Sequence, residues 1–124
     1  GLLLPEHQSV QLTDAVLQVS QGAFVHLPIF RCGNLHQELR ALKKEGFWII
    51  GVENSVKARS WYELDYKRKL VLVMGSEGNG IRPVIVKVCD ELITIPMQGK
   101  LNSLNVSSAT SAILFERLRQ LSLI

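Results

Sequence analysis

Two stretches decide how this chain folds: Val71-Leu72-Val73-Met74-Gly75-Ser76-Glu77-Gly78-Asn79-Gly80, and Ile95-Pro96-Met97-Gln98-Gly99-Lys100-Leu101-Asn102-Ser103-Leu104-Asn105-Val106-Ser107. Each reads as a buried strand running into a loop that opens a helix. In α/β proteins that geometry gathers backbone N–H groups and small polar side chains around a ligand at the carboxyl ends of strands. Two such loops in tandem, each holding polar residues between apolar runs, suggest one site built from both.

Working outward, the remaining chain alternates strand and helix patterns. Leu2-Leu3-Leu4 reads as a short buried strand. Thr13 or Asp14 can cap a helix through about Gln21, with Gly22 as its stop. His26-Leu27-Pro28-Ile29-Phe30-Arg31 reads as a strand whose proline favours a sheet edge. Asn34 with Gln37 resembles a capping box, opening a helix that turns Leu35, Leu39 and Leu42 inward, with Lys43 and Lys44 in its last turn and Gly46 at its end. Phe47 to Val52 is an uninterrupted apolar run, as a strand buried on both faces requires. Leu70 to Met74 and Leu92 to Ile95 read as further strands, and Ile81 to Val88 as a short helix with Pro83 in its first turn. A last helix runs from about Asn105 to Leu121, with Val106, Ala109, Ile113, Leu118 and Leu121 at helical spacing. The fold class is therefore α/β with a mainly parallel sheet flanked by helices.

Composition bounds the alternatives. A chain of 124 residues is expected to form one domain with a real core, and 47% hydrophobic content argues against disorder. No apolar run approaches the ~20 residues of a bilayer span, and Gly1 to Glu6 lacks the basic start of a signal peptide. Fourteen Lys and Arg against 11 Asp and Glu give +3, which permits a polyanionic partner without demanding one. Cys32 and Cys89 have no metal-like spacing, so two reduced thiols in a cytoplasmic protein are expected. His7, His26 and His36 share no ligand spacing either, and no metal is expected.

The loop from Gly75 to Gly80 is neither a P-loop, which needs Gly-Lys-Ser/Thr, nor a GxGxxG fingerprint, which needs glycine where Glu77 stands. A carboxylate at a helix mouth would repel a pyrophosphate. It can instead accept backbone hydrogen bonds, face a cation such as a sulfonium, or simply favour the helix dipole. In the second loop Asn102-Ser103-Leu104-Asn105 precedes a helix. Capping explains one of Ser103 and Asn105 and leaves the other and Asn102 without a role. Leu104 between them suits a backbone pressed against an apolar ligand face.

At this point the spelling resembles the SpoU-type (TrmH-like) RNA 2′-O-ribose methyltransferases of the SPOUT superfamily. Their second motif, hhhGxEgxG, matches Val71 to Gly80, and their third, IPMxGxxxSLNVSxA, matches Ile95 to Ala109. The likeness extends over most of the chain, including Leu2 to Glu6 and Gly46 to Gly51, and its flavour is nearest the bacterial rRNA guanosine 2′-O-methyltransferases. The resemblance implies a C-terminal deep trefoil knot, a rare exception to the rule against knots. It implies S-adenosylmethionine as cofactor, held by Gly75, Ile95, Met97 and Leu104, with Glu77, Ser103 and Asn105 as the catalytic polar set. It also implies a homodimer that uses the last helix, where Ala112 and Phe115 lie outside the main apolar stripe, and a structured rRNA or tRNA substrate.

One departure stands out. The family's first motif, an Asn followed by an Arg thought to activate the ribose hydroxyl, should precede Gly1. Residues 1–124 are thus expected to be a methyltransferase domain truncated at its start, which would bind the donor yet transfer poorly. Arg82 is a weak substitute for that Arg. The stretch from Lys57 to Lys69, with Trp61, Tyr62 and Tyr66 interleaved, is the best candidate for RNA contact; a solvated loop whose Trp61 and Tyr62 pack onto the domain is the competing account. The rival functions are a catalytically silent RNA- or partner-binding module and an ordinary nucleotide-binding domain.

Overall fold

The computed structural model describes residues 1–6, 21–55, 57–75, 80–97 and 105–123. It is a mixed α/β structure in which every strand pair is parallel, forming two compact units, Gly1–Glu38 and Leu39–Ile124. The helix expected between Thr13 and Gln21 lies outside the described residues.

In the first unit β1 (Leu2–Pro5) pairs in parallel with β2 (Ile29–Cys32), Leu2 opposite Ile29 and Pro5 opposite Cys32. The second strand starts three residues later than the sequence pattern indicates. Ala23–His26 is a 3-10 turn, and Pro28, which has no N–H to offer a ladder, contributes only its carbonyl, accepting from Leu2 N–H at 2.8 Å. Helix α1 (Leu35–Lys44) begins where Asn34 Oδ1 accepts from Gln37 N–H at 3.0 Å. It ends in a two-bond cap: Gly46 N–H donates to Lys43 O and Phe47 N–H to Leu42 O, with Gly46 at φ +92°. Phe47 is thereby taken from the strand expected to start there.

The second unit is built on a four-stranded sheet in the order β4-β6-β3-β5, comprising β3 (Trp48–Val52), β4 (Arg59–Ser60), β5 (Leu70–Met74) and β6 (Glu91–Thr94). β3 lies inside the sheet, with Val52 opposite both Met74 and Ile93. Its apolar run is explained by two covered faces. Ile50 joins Leu64, Tyr66, Ile93 and Ile113 in one buried cluster, with Val52, Leu70, Leu72 and Ile95 packed against it. On the other face, a Cβ at Gly51 would lie 2.7 Å from a Leu92 methyl, 3.0 Å from Cys89 Sγ and 3.1 Å from an Ile81 methyl. β6 begins one residue before its expected start.

Helix α2 is only Pro83–Val86, shorter than the pattern from Ile81 to Val88. Pro83 supplies no N–H and fixes the first helical position, while Val88 and Cys89 close tighter bonds onto Ile85 and Val86. Helix α3 (Val106–Gln120) buries Ala109 and Ile113. Its far end is clamped: Gln120 Oε1 accepts from Tyr66 N–H at 2.8 Å and its Nε2 donates to Leu64 O at 2.9 Å. Tyr66 is fully buried and donates its hydroxyl to Trp61 O. Asp90 ties the amino edge of the sheet, accepting from Ile49 N–H at 2.8 Å and pairing with Lys43 at 3.2 Å.

Candidate functional site

Parallel strands share one carboxyl edge, and the register shows what stands there. Beyond the Val52–Met74 and Val52–Ile93 pairs come Glu53 from β3, Gly75 from β5, and Ile95, Pro96 and Met97 leaving β6. Glu53 N–H donates to Ile93 O at 2.9 Å, extending the ladder by one step. The sheet therefore brings Gly75 and Ile95 to the same edge, on either side of β3. Both are half-buried, as is Met97. Glu77, Ser103 and Leu104 lie outside the described residues.

Gly75 owes its identity to the way its own loop closes. A Cβ there would sit 2.7 Å from the Gly80 carbonyl carbon, 2.9 Å from Gly80 Cα and 3.0 Å from Ile81 N. These are backbone atoms, so no side-chain rotation relieves the overlap, and glycine is the residue that fits. Gly80, at φ +68°, completes the return. The sequence pattern points to close approach between Gly75 and a ligand; the structure shows the approach is first to the loop's own far end.

Asn105 is placed by its helix. It is the N-cap of α3, its Oδ1 accepting from Ser107 N–H at 2.9 Å and from Ser107 Oγ at 2.6 Å. Of the two polar residues that capping could explain, Asn105 is the cap.

The basic, aromatic stretch divides between the two ends of the sheet. Lys57 is exposed in the turn leaving the carboxyl edge, where Ser55 Oγ accepts from its N–H. Arg82, before Pro83, is exposed beyond Gly80. Lys67, Arg68 and Lys69 lie at the amino edge, just before β5. There Arg68 stacks over the Trp48 ring at 4.1 Å and Lys69 over Phe47 at 4.4 Å. Tyr66 and Trp61 belong to the core or pack against it, leaving Tyr62 as the exposed aromatic of the three. Arg59 is held by Glu91 at 2.8 Å. Packing onto the domain, expected for Trp61 and Tyr62, holds for Trp61 but falls to Tyr66 in place of Tyr62, and the stretch is not one continuous RNA-facing surface.

Sequence patterns alone pass over Glu53. The available signal was an acid directly after a strand buried on both faces. Its carboxylate accepts from Ile81 N–H at 3.3 Å and would lie 3.0 Å from a Cβ at Gly80. Nearby, burial first, then the Asp90 charge, raises the Cys89 thiol to about 11, with Lys43 opposing. Cys32 and Cys89 are free thiols. Among the described residues no three His, Cys, Asp or Glu side chains gather as metal ligands would, and no helix is long and apolar enough to cross a membrane.

Known proteins share this chain's sequence and fold. Residues 1–115 match the SpoU rRNA methylase family. A 23S rRNA (guanosine-2′-O-)-methyltransferase RlmB from Shewanella oneidensis is 41% identical over 120 residues, 97% of this chain and 48% of the relative. The chain thus spans about half the length of that relative. Among solved structures, a TrmH/SpoU tRNA modifying enzyme from A. aeolicus aligns with a TM-score of 0.85 at 36% identity, covering 96% of this chain and 61% of the other. An AdoMet-bound rRNA methyltransferase from Sinorhizobium meliloti aligns at 0.87 and 26% identity, covering 98% and 46%. On sequence and fold together, the chain belongs to the SpoU rRNA methylase family.

Proposed function

We propose that this chain is the donor-binding part of an RNA methyltransferase that moves a methyl group from S-adenosylmethionine to a ribose 2′-OH, guanosine in rRNA first and tRNA second. The observation that carries the reading is the Gly75 backbone set against Gly80 and Ile81 on the same sheet edge as Ile95, in a chain of this family. The returning backbone beside Gly75 and the half-buried Ile95 and Met97 stand on one sheet edge, and we assign them as the cradle for the donor's adenosyl group and thioether chain. Gly75, Ile95, Met97 and Leu104 are the residues assigned to hold it. The donor, when bound, supplies an electrophilic methyl on a sulfonium.

The chain's own residues have three tasks. The edge loops fix the donor, because transfer to a weak nucleophile depends on in-line placement. The α3 cap at Asn105 fixes where the second loop ends, and Glu77, Ser103 and Asn105 are assigned as its polar organisers. Lys57 and Arg82, exposed near the same edge, suit phosphates of the RNA. We further assign residues 1–124 to one SPOUT domain with the C-terminal trefoil knot, working in the cytoplasm without a metal. A homodimer through α3 is supported by Leu114 and Phe115, which are 47% and 59% exposed.

Calorimetry with S-adenosylmethionine, NAD and ATP, followed by transfer of labelled methyl to ribosomal RNA, tests the reading. Binding of the methyl donor alone is expected. Binding of NAD or ATP instead would make this an ordinary nucleotide-binding domain. Donor binding with no transfer to rRNA or tRNA, even with upstream sequence carrying the Asn and Arg motif, would favour a silent RNA-binding module.

A further inference from the structure

We propose that Glu53 is a positioning residue for the methyl donor: its carboxylate braces the Gly80–Ile81 return of the Gly-rich loop and so sets the shape of the cradle at Gly75. The inference rests on the donor-binding reading above.

Three segments stand in contact along the carboxyl edge. The backbone of Gly75 lies against that of Gly80 and Ile81, with no room for a Cβ between them. The same return is held by Glu53, its Oε1 accepting from Ile81 N–H at 3.3 Å. A side chain at Gly80 would meet the same oxygen at 3.0 Å. Glu53 is anchored in turn by the sheet, since its N–H donates to Ile93 O at 2.9 Å, two residues before Ile95. One residue therefore links the loop after β5 to the strand that delivers the second loop. It makes no ion pair among the described residues, so the brace depends on an oxygen at the right reach.

That distinction sets the test. Glu53→Gln keeps an acceptor oxygen at the same length and loses the charge; Glu53→Asp keeps the charge and loses the reach; Glu53→Ala loses both. Binding of S-adenosylmethionine to the full chain is measured by calorimetry, and exchange of the Ile81 amide by NMR without ligand. Glu53→Ala and Glu53→Asp should each weaken donor binding about tenfold, the upper end of the loss expected when an ordinary hydrogen bond is removed. Both should speed Ile81 exchange, while Glu53→Gln stays within about twofold of the parent. Folding is checked in each variant by circular dichroism and thermal melting. The opposite order, with Asp close to the parent and Gln impaired, would show that charge acts rather than the brace and would overturn the proposal. Unchanged donor affinity in a folded Glu53→Ala chain would overturn it too, leaving the proposed function intact. A parent chain that does not bind S-adenosylmethionine would overturn the proposed function and the donor-positioning role together.

Discussion

At Gly75 the missing side chain is a structural requirement, because the space a Cβ would take is filled by the Gly80–Ile81 backbone. Gly75→Val must push that return outward, so donor binding should fall by more than tenfold, a cost of at least ~1.4 kcal/mol. Calorimetry on a variant whose melting shows it folded checks this, and unchanged affinity would move the cradle elsewhere. Cys89 gives a residue-scale prediction of another kind. Burial raises its pKa from 9.0 to about 11. A thiol raised on folding favours the protonated form, so its contribution is complete below the unfolded value and lost as pH climbs to the folded one. Stability should therefore decline between pH 9 and 11. Urea midpoints across that range should decline less in Cys89→Ala than in the parent, and equal slopes would contradict the assignment.

Among the elements, α1 and α3 end in the same two-bond cap with different residues at the turning position. Gly46 occupies it after α1 at φ +92°, whereas Ser122 occupies it after α3 at φ +59°, with Ser122 and Leu123 donating back to Arg119 and Leu118. A left-handed conformation costs an L-residue roughly 1–2 kcal/mol, offset in part by glycine's greater freedom when unfolded. Ser122→Gly should accordingly raise stability by about 0.5–1 kcal/mol and Gly46→Ala lower it by about 1 kcal/mol. Thermal melts measure both, and a destabilised Ser122→Gly would contradict the cap. Elements with such local signals were legible beforehand: Asn34 and Gly46 delimit α1, Asn105 opens α3, and unbroken apolar runs mark β3 and β5. Tyr66 was not legible. Among Asp65, Lys67 and Arg68 it looks solvated, and only Gln120, far along the chain, and the Trp61 carbonyl explain its burial. The brevity of α2 was equally hidden, since Ile81 N–H is drawn to Glu53, an acid remote in sequence. For the site, the Gly75 and Ile95 loops were plain from spelling, whereas Glu53 becomes visible only through the parallel register.

Across the whole second unit, charge is sorted by the ends of the sheet. Lys57 and Arg82 lie by the carboxyl edge and Lys67, Arg68 and Lys69 by the amino edge, separated by five-residue strands, about 16 Å. If RNA meets the donor at the carboxyl edge, Lys57→Ala should weaken RNA binding and flatten its salt dependence by about one phosphate contact. Lys67→Ala should leave both nearly unchanged. Filter binding over a series of salt concentrations distinguishes the two ends, and a larger effect from Lys67 would place the RNA on the opposite edge. For assembly, Phe115→Asp should turn a dimer into a monomer in sedimentation with little change in melting, because Phe115 is 59% exposed in the single chain; a parent that is already monomeric would count against α3 as an interface.

The inside position of β3 sets an order of events during synthesis. Trp48 to Val52 are made before either neighbour, β5 or β6, and before Ile113 can cover Ile50. At ribosomal speeds the interval before Gln120 exists to hold Tyr66 is on the order of seconds. Through that interval an apolar segment stands without its partners, bounded by Lys43, Lys44 and Glu45 on one side and Glu53 on the other. Charges flanking an unavoidable apolar strand keep it from pairing with copies of itself. The acid that braces a loop in the finished protein thus also guards the strand while the chain is still being made.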